Sequence, residues 1–185
     1  LAVLCAENDW LLLVDEVQTG IGRTGTLFAY QQYGILPDVV SFAKGIGGGL
    51  PLGGILANEK CRNVLGPGMH ATTFGGNPVS CAGGCAVLEQ LGDDVLEEVK
   101  IKGELIRDYI EGMHSPYVAG VRGLGLMIGV QLTGISHKEL AQRCIDRGLL
   151  VLTAGTDTLR LLPPLTITRE EILRGLDILH SVLCE

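Results

Sequence analysis

Ser41-Phe42-Ala43-Lys44-Gly45-Ile46-Gly47-Gly48-Gly49 is an apolar run of strand character that ends on a lysine, with glycines following at once. Upstream, Trp10-Leu11-Leu12-Leu13-Val14-Asp15-Glu16-Val17-Gln18-Thr19-Gly20 is a second apolar run, and it ends on an acid. The upstream run, Trp10 to Val14, is continuous rather than alternating, as in a strand covered on both faces of a parallel sheet. Two such strands, side by side, would present Asp15 and Lys44 at their C-terminal ends, where open α/β sheets bind ligands. Between them, Leu27 to Tyr33 reads as a short helix closed by Gly34, and Pro37-Asp38 restarts the chain into Val39-Val40-Ser41-Phe42-Ala43. Strand, helix, strand is the βαβ order.

The remaining elements extend from that pair. Leu1 to Glu7 reads as the last turns of an amphipathic helix with no cap ahead of it, so an N-terminal part is expected to be missing. Gly54 to Ala57 is a further short strand, and Asn58 caps a brief helix. Asn77-Pro78 opens a helix to Leu91 whose small residues, Ser80 to Gly84 and Ala86, suit close, buried packing. Gly92-Asp93-Asp94 recaps the chain, and Val95, Val99, Ile106, Ile110 and Met113 form an apolar stripe at helical spacing. Tyr117 to Leu132 reads as two strands joined at Gly123, and Leu149 to Leu162 as two more around Gly155. Ser136 with Glu139, and Thr168 with Glu171, are capping boxes that open two further helices. The expected division is a unit 1–91 and a compact α+β unit 92–185.

Composition limits the chemistry. The 185 residues are 46% hydrophobic and 19% charged, enough for a substantial core, and the net charge of −7 with scattered Lys and Arg argues against nucleic acid. No apolar run approaches the roughly 20 residues of a membrane span, so no membrane is expected and the cytoplasm is the expected location. Six cysteines without C-x-x-C spacing read as reduced and structural, and no metal site is expected.

A lysine at a buried strand end is desolvated toward the neutral amine that attacks carbonyls to form imines. An acid beside a heteroaromatic nitrogen keeps that nitrogen protonated, so that the ring serves as an electron sink. Together, Lys44 and Asp15 suit pyridoxal phosphate, with the hydroxyls and amides of Thr72-Thr73 and nearby glycines as phosphate donors. Arg160, among Leu159, Leu161 and Leu162, calls for a carboxylate partner. Each has a plainer reading alone: a strand-end acid, a surface lysine, a turn, an arginine paired with an acid of the last helix. Gly20-Ile21-Gly22-Arg23-Thr24-Gly25 matches the dinucleotide pattern, but five residues separate it from the strand, which leaves nucleotide binding a distant alternative. Ser41-x-x-Lys44 matches serine acyl-enzymes, whose S-D-N and K-T-G partners are absent.

Taken in order, Leu12 to Gly25, Pro37 to Gly45, His70-Ala71-Thr72-Thr73-Phe74-Gly75-Gly76-Asn77-Pro78 and Leu159 to Thr166 resemble class III pyridoxal-phosphate aminotransferases over essentially the whole chain. The likeness is strongest to the branch acting on N-acetylornithine, with those acting on ornithine and 4-aminobutyrate next. It implies the C-terminal part of a fold-type I large domain, a mostly parallel sheet flanked by helices, followed by a small α+β domain. It further implies that Lys44 carries the cofactor as an imine and moves the proton, Asp15 holds the ring nitrogen, and Gln18 lies beside the ring oxygen. By the same likeness Thr72 and Thr73 belong to the phosphate site, with Thr73 reaching the partner subunit of a homodimer, and Arg160 binds the carboxylate of glutamate or 2-oxoglutarate. The implied reaction moves the terminal amino group of N-acetylornithine to 2-oxoglutarate in arginine biosynthesis. The family's upstream phosphate loop and ring-stacking aromatic are not in this chain, so weak or absent turnover is expected of it alone. A non-catalytic remnant that binds a phosphate ligand stays open as the alternative.

Overall fold

The computed structural model describes residues 1–184, which divide into two compact units, 1–96 and 97–184. In the first, α1 (Ala2–Glu7) precedes β1 (Leu13–Asp15), and β2 (Val39–Phe42) and β3 (Gly54–Ala57) complete a sheet of order β1-β2-β3. β1 and β2 are parallel, with Asp15 opposite Ser41, and β3 adds antiparallel with Gly54 opposite Phe42. The strands are tied at the opposite end by Asp38, whose carboxylate accepts from the Leu12 amide at 2.7 Å and from Asn58 Nδ2 at 2.9 Å.

The crossover between β1 and β2 is not an α-helix but a single 3-10 helix, Ala29–Tyr33, closed by Gly34 in the left-handed region (φ 62°). Five residues give too few hydrogen bonds to repay an α-helical nucleus, and the tighter turn is the usual short form. The expectation of strands covered on both faces is corrected: Leu13 is 64% exposed, and all of β3 is exposed. The core of this unit is small, Ile21, Phe28, Val40 and Ile46, with Phe28 edge-on to Phe42 at 6.2 Å between ring centroids.

α2 (Pro78–Gln90) begins as expected, Asn77 Oδ1 accepting from the amides of Val79 and Ser80, but only Ser80 and Gly84 of its residues are buried. Its small residues nonetheless do the packing foreseen for them on one side. A Cβ on Gly84 would stand 2.6 Å from Leu52 Cδ2, and one on Gly83 would stand 3.2 Å from the Gly47 carbonyl oxygen. The helix thus lies directly against the glycine-rich segment that follows Lys44.

The second unit follows the sequence closely. α3 (Asp93–Gly112) buries Val99, Ile106 and Ile110, and β4 (Val118–Leu124) pairs antiparallel with β5 (Met127–Leu132). The reversal falls at Gly125-Leu126, two residues beyond Gly123, which stays in the ladder opposite Ile128. After α4 (His137–Asp146), β6 (Leu152–Ala154) and β7 (Thr158–Leu161) complete a four-stranded antiparallel sheet of order β4-β5-β7-β6. α5 (Arg169–Leu183) starts from a complete Thr168/Glu171 capping box and lays Ile172, Leu176, Leu179 and Leu183 into the core. That core also holds Ile128, Val130, Leu140, Cys144 and Leu159. The Ser136 box is half formed: Ser136 Oγ accepts from the Glu139 amide, while the Glu139 carboxylate faces Arg143 instead.

Candidate active site

Asp15 is the last residue of β1, and its register partner Ser41 lies three residues before Lys44 on the adjoining strand. The parallel pairing therefore delivers acid and lysine to the same C-terminal edge of the sheet, as the sequence led one to expect. Asp15 Oδ1 accepts from the Val17 amide at 2.9 Å and from Ser41 Oγ at 3.0 Å. The Val17 amide first, then the Ser41 hydroxyl, and finally the charge of Lys44 hold this carboxyl below the usual aspartate value, against a smaller opposing effect of desolvation. Both hydrogen bonds fall on Oδ1, so among the described residues Oδ2 has no donor.

Lys44 stands where β2 breaks into a 3-10 helix, Lys44–Gly47. Its φ is 53°, in the left-handed region that a lysine rarely occupies, and such strain persists only where the surroundings impose it. Ile21, also left-handed at φ 55° and buried, packs beside Gly45, 3.5 Å from where a Cβ would stand. The side chain of Lys44 is exposed and makes no hydrogen bond or ion pair with the described residues. Exposure in this chain replaces the buried strand end expected for it, because β1 and β3 carry no covering layer on that side.

Gln18, half-buried in the turn after Asp15, likewise leaves its amide group without a partner among the described residues. Thr72 and Thr73 lie on an exposed stretch, residues 62–76, and their hydroxyls make no hydrogen bond to the described residues. The Thr72 methyl lies 2.0 Å from where a Cβ on Gly75 would stand, so a larger residue at 75 would require that side chain to move. Arg160, on β7 in the second unit, has a buried Nε with no acceptor, and no acid of the last helix pairs with it. Each of the six residues thus has a polar group without a partner among the described residues.

One residue that holds the site escaped the reading of the sequence. Glu16, beside Asp15, is 1% exposed. Its carboxylate accepts from Thr19 Oγ1 at 2.5 Å, from the Ala29 amide at 3.1 Å and from the Tyr30 amide at 2.8 Å, while its own amide donates to the Ser41 carbonyl at 2.9 Å. It caps the 3-10 helix and fastens the 16–30 loop, including Ile21, to the strand that carries Lys44. The signal was present: two adjacent acids at a strand end cannot both face a ligand, and the second meets the free amides of the next helix start.

The model of the family described as aminotransferase class-III matches residues 1–183. The chain is similar to the acetylornithine aminotransferase of Haemophilus ducreyi, at 49% identity over 98% of this chain and 46% of that protein. It is similar to that of Caldanaerobacter subterraneus subsp. tengcongensis too, at 46% identity over 98% and 47%. The chain therefore spans about half the length of the curated relatives it matches. Among solved structures, the N-acetylornithine aminotransferase of Stenotrophomonas maltophilia aligns with a TM-score of 0.89 at 35% identity, over 99% of this chain and 49% of that one. The ornithine aminotransferase of Toxoplasma gondii, whose structure shows partial occupancy of PLP at the active site, aligns at 0.91 and 30%, over 98% and 44%. These neighbours bear out the mixed α/β fold expected of a fold-type I transferase, and pyridoxal phosphate is the cofactor of the matched family. A match to the family model over residues 1–183 places this chain in the class III aminotransferase family.

Proposed function

We propose that this chain supplies the lysine, the ring acid and a substrate arginine of an aminotransferase that moves the terminal amino group of N-acetylornithine to 2-oxoglutarate, in arginine biosynthesis in the cytoplasm. The observation that carries the reading is the apposition of Asp15 and the left-handed Lys44 at one edge of the β1-β2 pair. The free groups fit the cofactor: Asp15 Oδ2 is an ionised acceptor for a ring N–H, the unpartnered Gln18 amide suits a ring oxygen, and Lys44 Nζ is unengaged.

Pyridoxal phosphate supplies an electron-poor ring that takes up the electron pair of a substrate C–H bond. Lys44 would hold the cofactor through Nζ, and the same amine would move the proton of the substrate carbon. Asp15, held ionised by Val17 and Ser41, would keep the ring nitrogen protonated. Thr72 and Thr73 donate hydroxyls to the phosphate, Thr73 to that of the partner subunit in a homodimer. Arg160 offers its fork to the carboxylate of glutamate or 2-oxoglutarate.

Ornithine as amino donor is the second reading, favoured by the close fit to the ornithine aminotransferase of Toxoplasma gondii. An amino-transfer assay separates the two, run on the chain alone and on the chain with the N-terminal half of the Haemophilus ducreyi relative joined ahead of Leu1. Glutamate formed from 2-oxoglutarate faster with N-acetylornithine than with ornithine or 4-aminobutyrate is the expected result for the joined protein, with little for the chain alone. Faster turnover of ornithine would replace the donor. A joined protein with no turnover and no yellow imine chromophore would make this chain a non-catalytic remnant.

A further inference from the structure

The four-stranded sheet of the second unit buries Ile128, Val130 and Leu159 on one face. On the other, two guanidiniums flank one glycine. Gly129 of β5 is the register partner of Arg122 on β4 and of Arg160 on β7. Register partners project to the same side of a sheet. A Cβ on Gly129 would stand 3.5 Å from Arg122 Cγ and 3.6 Å from Arg122 Nε, so the arginine lies across the glycine toward β7. There its Nη2 donates to Thr158 Oγ1 at 3.1 Å.

The tether is built rather than incidental. Thr158 is 3% exposed, and its hydroxyl donates onward to Asp157 Oδ1 at 2.9 Å, while Asp157 Oδ2 accepts from Gln131 Nε2 at 3.0 Å. Both oxygens of Asp157 are thereby committed, and Gln131 first, then Thr158, with a smaller contribution from the charge of Arg122, keep it ionised below the usual range. It does not neutralise Arg160, whose buried Nε has no acceptor. At Gly120, opposite Gln131, a Cβ would meet nothing within 4 Å, so the same face is open beside Arg122. The face therefore carries two guanidiniums, Arg122 tethered across Gly129 and Arg160 beside it, with free space alongside Arg122.

We propose that Arg122 is a second cation of the carboxylate site at Arg160, tethered by Thr158 across Gly129, and that it favours dicarboxylate over monocarboxylate ligands. This rests on Arg160 binding a substrate carboxylate, as set out above. A carboxylate bound at Arg160 leaves the second carboxylate of a dicarboxylate in the field of Arg122, a gain the monocarboxylate lacks. Arg122 is exposed, so solvent screens this gain to about threefold in affinity.

The test is a titration of the chain with glutarate and with butyrate, followed by the backbone amide shifts of Gly129 and Arg160. The unsubstituted chain is expected to bind glutarate more tightly than butyrate. Arg122→Met should weaken glutarate about threefold more than butyrate, and Arg122→Lys should restore the preference at low ionic strength and lose it at high salt, which a merely structural role would not do. Arg160→Met should abolish binding of both. If Arg122→Met or, should that variant misfold, Thr158→Val with its freed Arg122, keeps the full glutarate preference, the second-cation assignment is overturned while the reading of Arg160 stands. If Arg160→Met binds both ligands normally, the carboxylate role of Arg160 fails and this inference falls with it. Equal binding of glutarate and butyrate by the unsubstituted chain also overturns it.

Discussion

Asp15 and Glu16 are neighbours with opposite duties. Asp15 stays at the edge with one oxygen free, and Glu16 turns inward to serve the loop. Removing the Glu16 carboxylate would leave the amides of Ala29 and Tyr30 without acceptors near the core. At about 1–3 kcal/mol for each orphaned buried group, Glu16→Ala should destabilise by about 3 kcal/mol, read as a lowered urea midpoint. Ser41→Ala removes one of the two donors on Asp15 Oδ1 and should raise the Asp15 pKa toward its ordinary value, measurable by carboxyl carbon NMR. Because the folded-state pKa is depressed, the stabilisation from Asp15 is fully present above the unfolded value and is lost as pH falls through the folded one. Ser41→Ala should therefore lower stability at neutral pH and change it least below the folded value, which flattens the acid limb of the stability profile. Asp15 and Lys44 were legible in the sequence because each closes an apolar run. Glu16 was not, since its partners are backbone amides thirteen and fourteen residues away.

The elements of the second unit were legible because each closes its own pattern: the α5 stripe, the Thr168 box and the alternation of β5 all find partners within the unit. Turn positions were less so, as the β4-β5 reversal shows. Gly123 looked like the turn because it is a glycine, yet it pairs within the ladder at φ 127°, a conformation other residues avoid. What the hairpin needs is room at its tip, and α3 provides it. A Cβ on Gly103 would stand 2.3 Å from the Gly125 carbonyl oxygen, a backbone atom that cannot swing aside, and Arg107 Nη2 donates to the Gly123 carbonyl at 2.5 Å nearby. Gly103→Ala should push helix and hairpin apart and cost about 2 kcal/mol, as overpacked contacts do, despite alanine's better helix propensity. A urea melt showing Gly103→Ala equal to or more stable than the unsubstituted chain would contradict the close approach.

At the scale of the molecule the two units differ in self-sufficiency. Among the described residues the second gathers its buried side chains from α3, β5, α4, β7 and α5 into one cluster, whereas the first buries only Ile21, Phe28, Val40 and Ile46 together. Residues 92–185 expressed alone should unfold cooperatively, and residues 1–91 alone should not; a cooperative calorimetric transition from the smaller-cored piece would contradict this. The same contrast explains why burial was misread in the first unit. Continuous apolar runs record what a strand is suited to pack against, yet Leu13 of β1 and all of β3 are exposed. The proposed site rests on strand register and on the left-handed backbone at Lys44, not on a covering layer. Borohydride reduction of the chain with pyridoxal phosphate, followed by peptide mass mapping, tests this most directly. A phosphopyridoxyl adduct confined to Lys44, among Lys44, Lys60, Lys100, Lys102 and Lys138, is the predicted result, and adducts spread over the lysines according to exposure, or none at all, would contradict it.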